Sequence, residues 1–167
     1  LYNKRIPFSD KKNIKFIQYS LGKKFNFNLI NKDSTIIHLA WDYIPDYKTT
    51  KHITTHLKLQ KHFIKNVIQK KPKSLFVMGT CFEYQNSNNQ LNENSKIKPQ
   101  NNYALAKNKL RIYIKKNKYK ITNFTWGRLF YVYGKNQPQH TLYGQFLRNK
   151  QNKIKLRNLI KNKNLEL

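Results

Sequence analysis

An α/β sheet of the parallel, doubly wound kind is the fold class this sequence predicts. Three observations carry it. Short, continuous apolar runs stand at Phe16–Leu21, Thr35–Ala40 and Leu75–Met78, as strands buried on both faces of a parallel sheet require. Between the second and third, Ile53, Leu57, Ile64 and Ile68 form one stripe at helical spacing, with Leu59, Phe63 and Val67 beside it. Strand and helix patterns then alternate to the end, which points to crossover units rather than hairpins.

The elements follow in order. Gln85–Gln100 is rich in Asn, Ser and Lys and closes on Pro99, so it reads as a surface loop. Asn101 or Asn102 is a suitable cap for a helix running to about Lys116, marked by Leu105, Leu110 and Ile114. Ile121–Phe130 is a further strand, Gly134 to His140 a loop, and Leu142–Arg148 a short helix. No internal repeat is visible.

At 167 residues the chain has one domain's worth of sequence. It starts on Leu1 and stops on Glu166-Leu167, and is expected to be an internal piece of a longer protein. No stretch approaches the roughly 18–20 apolar residues of a membrane span, and no signal-peptide pattern is present. A single cysteine, Cys81, excludes a disulfide framework and a cysteine-based zinc site. A reducing, cytoplasmic location is the expectation. The formal net charge of +27 raises a nucleic-acid reading. The lysines, however, are spread over the whole chain among Asn and Ile, as in Lys161-Asn162-Lys163-Asn164, and do not gather in one patch with interleaved aromatics. A biased codon pool explains that pattern better, although such a field also attracts phosphate-bearing small molecules.

A tyrosine and a lysine four residues apart share a helix face. The ammonium is then expected to lower the phenol's pKa and ready it for proton transfer. With 11 tyrosines in so lysine-rich a chain, the spacing alone means little. It occurs at Tyr19/Lys23, Tyr47/Lys51, Tyr103/Lys107 and Tyr131/Lys135. The first and last straddle Gly22 and Gly134, and Tyr47/Lys51 has no hydroxyl residue emerging from a strand upstream. Tyr103/Lys107 alone follows an apolar strand ending in a hydroxyl residue, Leu75-Phe-Val-Met-Gly-Thr80. A residue at the carboxyl end of such a strand faces the ligand crevice of an open α/β sheet.

With His38-Leu39-Ala40-Trp41, Gly79-Thr80-Cys81-Phe82-Glu83-Tyr84, Glu93, Pro99, Tyr103-Ala-Leu-Ala-Lys107 and Gly127-Arg128-Leu-Phe-Tyr-Val-Tyr133-Gly134 in this order and spacing, the chain resembles the NAD-dependent epimerase/dehydratase family. That is the extended, sugar-nucleotide-modifying branch of the short-chain dehydrogenases. The resemblance runs from about residue 30 to residue 150. It implies a Rossmann-like domain that lacks its first strands and its glycine-rich turn, with little of the substrate lobe. Tyr103 resembles the acid/base tyrosine, Thr80 its hydroxyl partner on the sugar oxygen, and Lys107 the lysine on the nicotinamide ribose. Leu39, Ala40, Trp41, Thr55 and Phe130, together with Tyr103 and Lys107, match cofactor-lining positions. Cys81 and Tyr131 join Thr80 on the substrate side.

Departures refine the expectation. The family's dehydratases carry Asp-Glu after the threonine. Cys81 and Phe82 stand there instead, which argues against water elimination. Tyr131 replaces the asparagine usual in epimerases, and some 4-keto-sugar reductases have an aromatic there. The resemblance therefore implies an NAD- or NADP-dependent 4-keto-sugar reductase or dehydrogenase acting on a nucleotide-linked (6-deoxy)hexose, with a 4-epimerase as the alternative. The full-length parent is expected to be a homodimer, with no membrane and no nucleic acid as partner. A non-catalytic, basic nucleic-acid-binding domain is the reading of another class, and would need a contiguous basic face with exposed aromatics. The Gly-x-x-Gly-x-x-Gly turn that would receive the cofactor pyrophosphate is not in these residues, nor is the residue that chooses NAD or NADP. His52 and His56 share a helix face near His62, but with no adjacent Glu they are read as surface or satisfied histidines, and no metal is expected. His38 is expected to support the cofactor loop by packing, and Trp41 and Trp126 to sit in the core. Without the strands that separate the third from the fourth in the order 3-2-1-4-5-6, Phe16–Leu21 is expected to take the vacant edge or to be poorly held. The isolated piece is expected to be marginally stable and to self-associate.

Overall fold

Parallel strands cannot be joined by a tight turn, so each pair needs a crossover long enough to hold a helix. The chain supplies two. In the computed structural model, which describes residue 14 and residues 17–44, 46–86, 90–134 and 141–151, strands β1 (Thr35–His38), β2 (Ser74–Thr80) and β3 (Asn123–Leu129) form a parallel sheet in the order β1-β2-β3. Thr35 pairs with Ser74 and His38 with Val77; Ser74 pairs with Asn123 and Thr80 with Leu129. The three runs Thr35–Ala40, Leu75–Met78 and Ile121–Phe130 thus form one contiguous sheet, as expected. Two compact units divide the chain, Leu1–Phe130 and Tyr131–Leu167. The sheet lies in the first.

A π-helical turn, His52–His56, leads into α1 (Leu57–Gln69), which crosses from β1 to β2. Helix α2 (Asn102–Asn117) crosses from β2 to β3. Asn101 caps α2 by accepting the Ala104 N–H at 2.9 Å, satisfying one of the first-turn donors that have no partner inside a helix. Right-handed crossovers between neighbouring strands taken in sequence place both helices on the same side of the sheet. There Phe63, Ile64 and Val67 of α1 and Ala106, Leu110 and Ile114 of α2 close over Leu75 and Val77 in one buried cluster. In the second unit, α3 (Leu142–Gln151) covers the short helix expected at Leu142–Arg148.

Two expectations need correction. The strands are not all buried on both faces: Leu75 and Val77 are buried under the helices, while Ile37 on the other face is 64% exposed and Leu39 just beyond it 59%. The cause is that α1 and α2 cover one side only. The second concerns Phe16–Leu21. Phe16 lies outside the described residues, and of Ile17–Leu21 only Gln18 makes a β-bridge, so the run is not a further strand of the β1-β2-β3 sheet. Its apolar side chains pack against α1 instead. Tyr19 and Leu21 lie on the core with Phe25 and Phe27, and the Tyr19 ring stands 4.9 Å from Phe25 and 5.7 Å from Phe63. A turn closed by the Lys23 N–H on the Ser20 carbonyl then redirects the chain. Among the described residues no helix is long and apolar enough to cross a membrane.

Candidate active site

Because β2 and β3 extend three residues beyond the last β1 pair, Met78, Gly79 and Thr80 stand at the carboxyl edge of the sheet, past the point where the chain leaves β1. Thr80 ends β2 and starts a 3-10 turn, Cys81–Glu83, through a reciprocal cap. Its Oγ1 accepts the Phe82 N–H at 3.4 Å, and Glu83 Oε1 accepts the Thr80 N–H at 3.1 Å. The segment before α2 is sewn to this turn, with Lys98 N–H on Glu83 O and Gln100 N–H on Phe82 O. Thr80 and the first turn of α2, which carries Tyr103, are thereby held on one wall. Tyr47 bridges them, its ring 5.6 Å from Phe82 and 5.5 Å from Tyr103.

Tyr103 and Lys107 are both buried on α2. The Tyr103 N–H donates to Tyr47 O at 3.0 Å, and its ring is enclosed by Trp41 at 5.7 Å and His52 at 5.4 Å. Lys107 Nζ donates to Met78 O at 2.6 Å and lies 4.2 Å over the Trp41 ring, a desolvated ammonium on an indole face. Burial lowers its pKa from 10.5 to about 7, against a smaller raising effect of Glu83. The phenol behaves differently from the expectation. Burial, with Tyr47, Glu83 and Cys81 adding to it, pushes Tyr103 up to about 12. The ammonium does not offset this, because it turns to the Met78 carbonyl and the indole and stays 5.7 Å from the phenol ring centroid. At neutral pH the site holds a phenol with its proton on.

The loop after β1 is held by a buried chain of polar side chains. Gln60 donates to Ala40 O at 2.8 Å and to His56 Nε2 at 2.9 Å, so its Oε1 accepts from His38 Nε2 at 2.6 Å. His56 Nε2 also accepts the Asp42 N–H. His52 Nδ1 accepts from Trp41 Nε1 at 3.1 Å, which leaves its Nε2–H to the Asp46 carbonyl at 2.8 Å. An accepting ring nitrogen carries no proton, which sets the tautomers of His52 and His56. Burial drives both His38 and His56 from 6.5 to about 4.

Comparison with known proteins now bears on this geometry. The sequence model described as "NAD dependent epimerase/dehydratase family" matches residues 7–165. The chain belongs to that family. A curated relative, the dTDP-6-deoxy-L-talose 4-dehydrogenase (NAD(+)) of Aggregatibacter actinomycetemcomitans, is 22% identical over 132 residues, covering 78% of this chain and 48% of the relative. Among solved structures, the UDP-N-acetylglucosamine 4-epimerase of Methanobrevibacter ruminantium M1 in complex with UDP-N-acetylmuramic acid has a TM-score of 0.70 at 18% identity, covering 85% of this chain and 49% of its own. MoeE5 in complex with UDP-glucuronic acid and NAD has a TM-score of 0.67 at 16% identity, covering 86% and 50%. These likenesses establish the Rossmann-like fold of the family. The chain spans about half the length of the proteins it matches.

Within the family frame, the structure gathers Thr80, Cys81, Tyr103, Lys107 and Trp41 around the carboxyl ends of β1 and β2. Leu39 and Ala40 lie exposed just past β1, and Phe130, 48% exposed, just past β3. Thr55 is exposed on the π-helical turn. Tyr131 belongs to the second unit, where it is exposed. The cysteine is half-buried, and burial raises its thiol pKa while the Thr80 hydroxyl beside it opposes the rise.

His52 and His56 are the satisfied rather than the surface kind, buried struts of the Trp41 loop. Sequence reasoning missed two members, Gln60, which ties that loop to α1, and Glu83. Glu83 is fully buried. Its signal was there to read: an acid between Phe82 and Tyr84, in a chain with 7 acids in all, is placed where only a buried cation or a row of donors can hold it.

Proposed function

We propose that the protein carrying this chain is an NAD(P)-dependent sugar-nucleotide oxidoreductase, a 4-keto-sugar reductase or dehydrogenase acting on a nucleotide-linked (6-deoxy)hexose. The observation that carries the reading is the hydrogen bond from Lys107 to Met78 O, which sets the helix of the Tyr103/Lys107 pair against the end of β2 that carries Thr80, in a chain of this family. Thr80 hydrogen-bonds the reacting sugar oxygen. Tyr103 gives its proton to that oxygen as a carbonyl is reduced, and takes it back in the oxidative direction.

The residues present fit one half of a nicotinamide cofactor. Leu39, Ala40 and Phe130 offer apolar surface at the carboxyl edge, and the Lys107 ammonium has N–H donors beyond the one on Met78 O for ribose hydroxyls. The bound cofactor supplies the hydride. The turn that would receive its pyrophosphate is not among these residues, and its choice between NAD and NADP lies outside them. The parent is read as a cytoplasmic homodimer.

The test uses the full-length protein, NADH or NADPH, and a dTDP-linked 4-keto-6-deoxyhexose, following cofactor absorbance and the sugar product. Stoichiometric cofactor oxidation with a new sugar alcohol, abolished in Tyr103→Phe, is expected. Interconversion of two nucleotide sugars with no net cofactor change would replace this reading by the 4-epimerase. Cofactor and sugar turnover absent altogether, with tight nucleic-acid binding, would overturn both.

A further inference from the structure

A fully buried carboxylate needs a reason, since an apolar side chain of the same size would fill its space at lower cost. Glu83 is 0% exposed and receives donors from two strands, β2 and β3. The Thr80 N–H donates to its Oε1 at 3.1 Å. Trp126 Nε1 donates across both oxygens at 3.1 and 3.2 Å, and Arg128 Nε reaches Oε2 at 3.1 Å. Arg111 of α2 stands 3.8 Å away. Arg128 in turn donates to Tyr84 Oη at 2.9 Å and lies 4.6 Å over the Tyr84 ring. The two residues that follow Thr80's partner Phe82 are thus gripped by one β3 guanidinium. Gly79, immediately before Thr80, is packed so closely on Trp126 and Glu83 that no Cβ fits. The carboxylate is therefore a point where the end of β2, the turn after it and β3 converge.

We propose that Glu83 is a positioning residue, which fixes the Thr80 hydroxyl toward the sugar oxygen by clamping the Thr80–Tyr84 turn to Trp126 and Arg128 of β3. This rests on the role given above to Thr80. The clamp acts on orientation, so its loss lowers the chemical step while leaving cofactor binding in place. Misplacement by about 1 Å is worth up to about 100-fold in rate.

A double-mutant cycle in the full-length protein tests it, using NADH and the dTDP-linked 4-keto-6-deoxyhexose. Glu83→Gln leaves Arg128 as an uncompensated buried cation. Glu83→Gln with Arg128→Met is therefore the companion variant, which removes clamp and charge together. Either should lower kcat about 10–100-fold with KM for NADH unchanged, and neither should lower it further once Thr80→Ala is present. Equal losses with and without Thr80→Ala would show that Glu83 does not act through Thr80, and would overturn the proposal while leaving the function standing. A silent Thr80→Ala would instead sink the role of Thr80 itself. Hydrogen exchange read on the same variants is independent of turnover. Faster exchange confined to Thr80–Tyr84 supports the clamp, and unchanged exchange there overturns it.

Discussion

Replacing Gly79 by alanine is the sharpest probe of how the site is built. An added Cβ would sit 2.5 Å from Glu83 Oε1 and 2.7 Å from Trp126 Cε2, and closer still to Trp126 Nε1. Real Cβ atoms do not approach that near, so something must move. Neither neighbour is a free end. Glu83 is fixed by Arg128 and the Thr80 N–H, and the Trp126 indole is fixed by Glu83 itself. Overpacking a close-fitted site costs about 1–3 kcal/mol. Displacing the indole N–H from a buried carboxylate adds about 1.5–3 kcal/mol. A total of about 2.5–6 kcal/mol is a large share of the usual 5–15 kcal/mol of native stability, and should lower Tm by about 5 °C or more. Thermal and urea unfolding of the full-length protein, followed by circular dichroism, would measure it. Gly134→Ala is the control, since no atom lies within 4 Å of its added Cβ, and it should stay within about 0.5 kcal/mol of the parent. A Gly79→Ala protein as stable as that control would mean that Glu83 and Trp126 do not meet over β2 as described.

Tyr103→Phe should reduce turnover about 10²–10⁴-fold in steady-state assays, with NAD binding retained; unchanged turnover would place the proton donor elsewhere. Thr80→Ala should weaken turnover and leave NADH affinity, measured by fluorescence titration, near that of the parent. Buried, neutral His38 falls from 6.5 to about 4, so above pH 6.5 it costs nothing. As pH drops towards 4 the unfolded chain takes a proton that the folded chain refuses, and stability is lost by up to about 3 kcal/mol. His38→Asn should flatten that part of the stability curve in urea titrations. Lys107 acts in the same sense on the alkaline side. With its folded value near 7 against 10.5, the unfolded state binds more protons between those values, and stability should rise with pH across that window, a rise that Lys107→Met should remove.

Local patterning in the chain was enough for the three parallel strands and for a cap at Asn101 or Asn102, because each depends on residues within a turn or a short strand of one another. The order of family motifs added the cofactor and sugar-nucleotide setting. Other features depend on groups far apart in sequence. Glu83 meets Trp126 and Arg128 more than forty residues away, and Gln60 reaches back twenty to Ala40. No local pattern encodes such partners. The same holds for the phenol, whose high pKa follows from enclosure by Trp41, Tyr47 and His52, although its i+4 lysine suggested the opposite. The apolar run at Phe16–Leu21 had the composition of a strand. Whether such a run becomes a ladder or packing depends on which backbone groups and which side-chain surfaces stand beside it after collapse, and Phe63 of α1 took its described residues as packing.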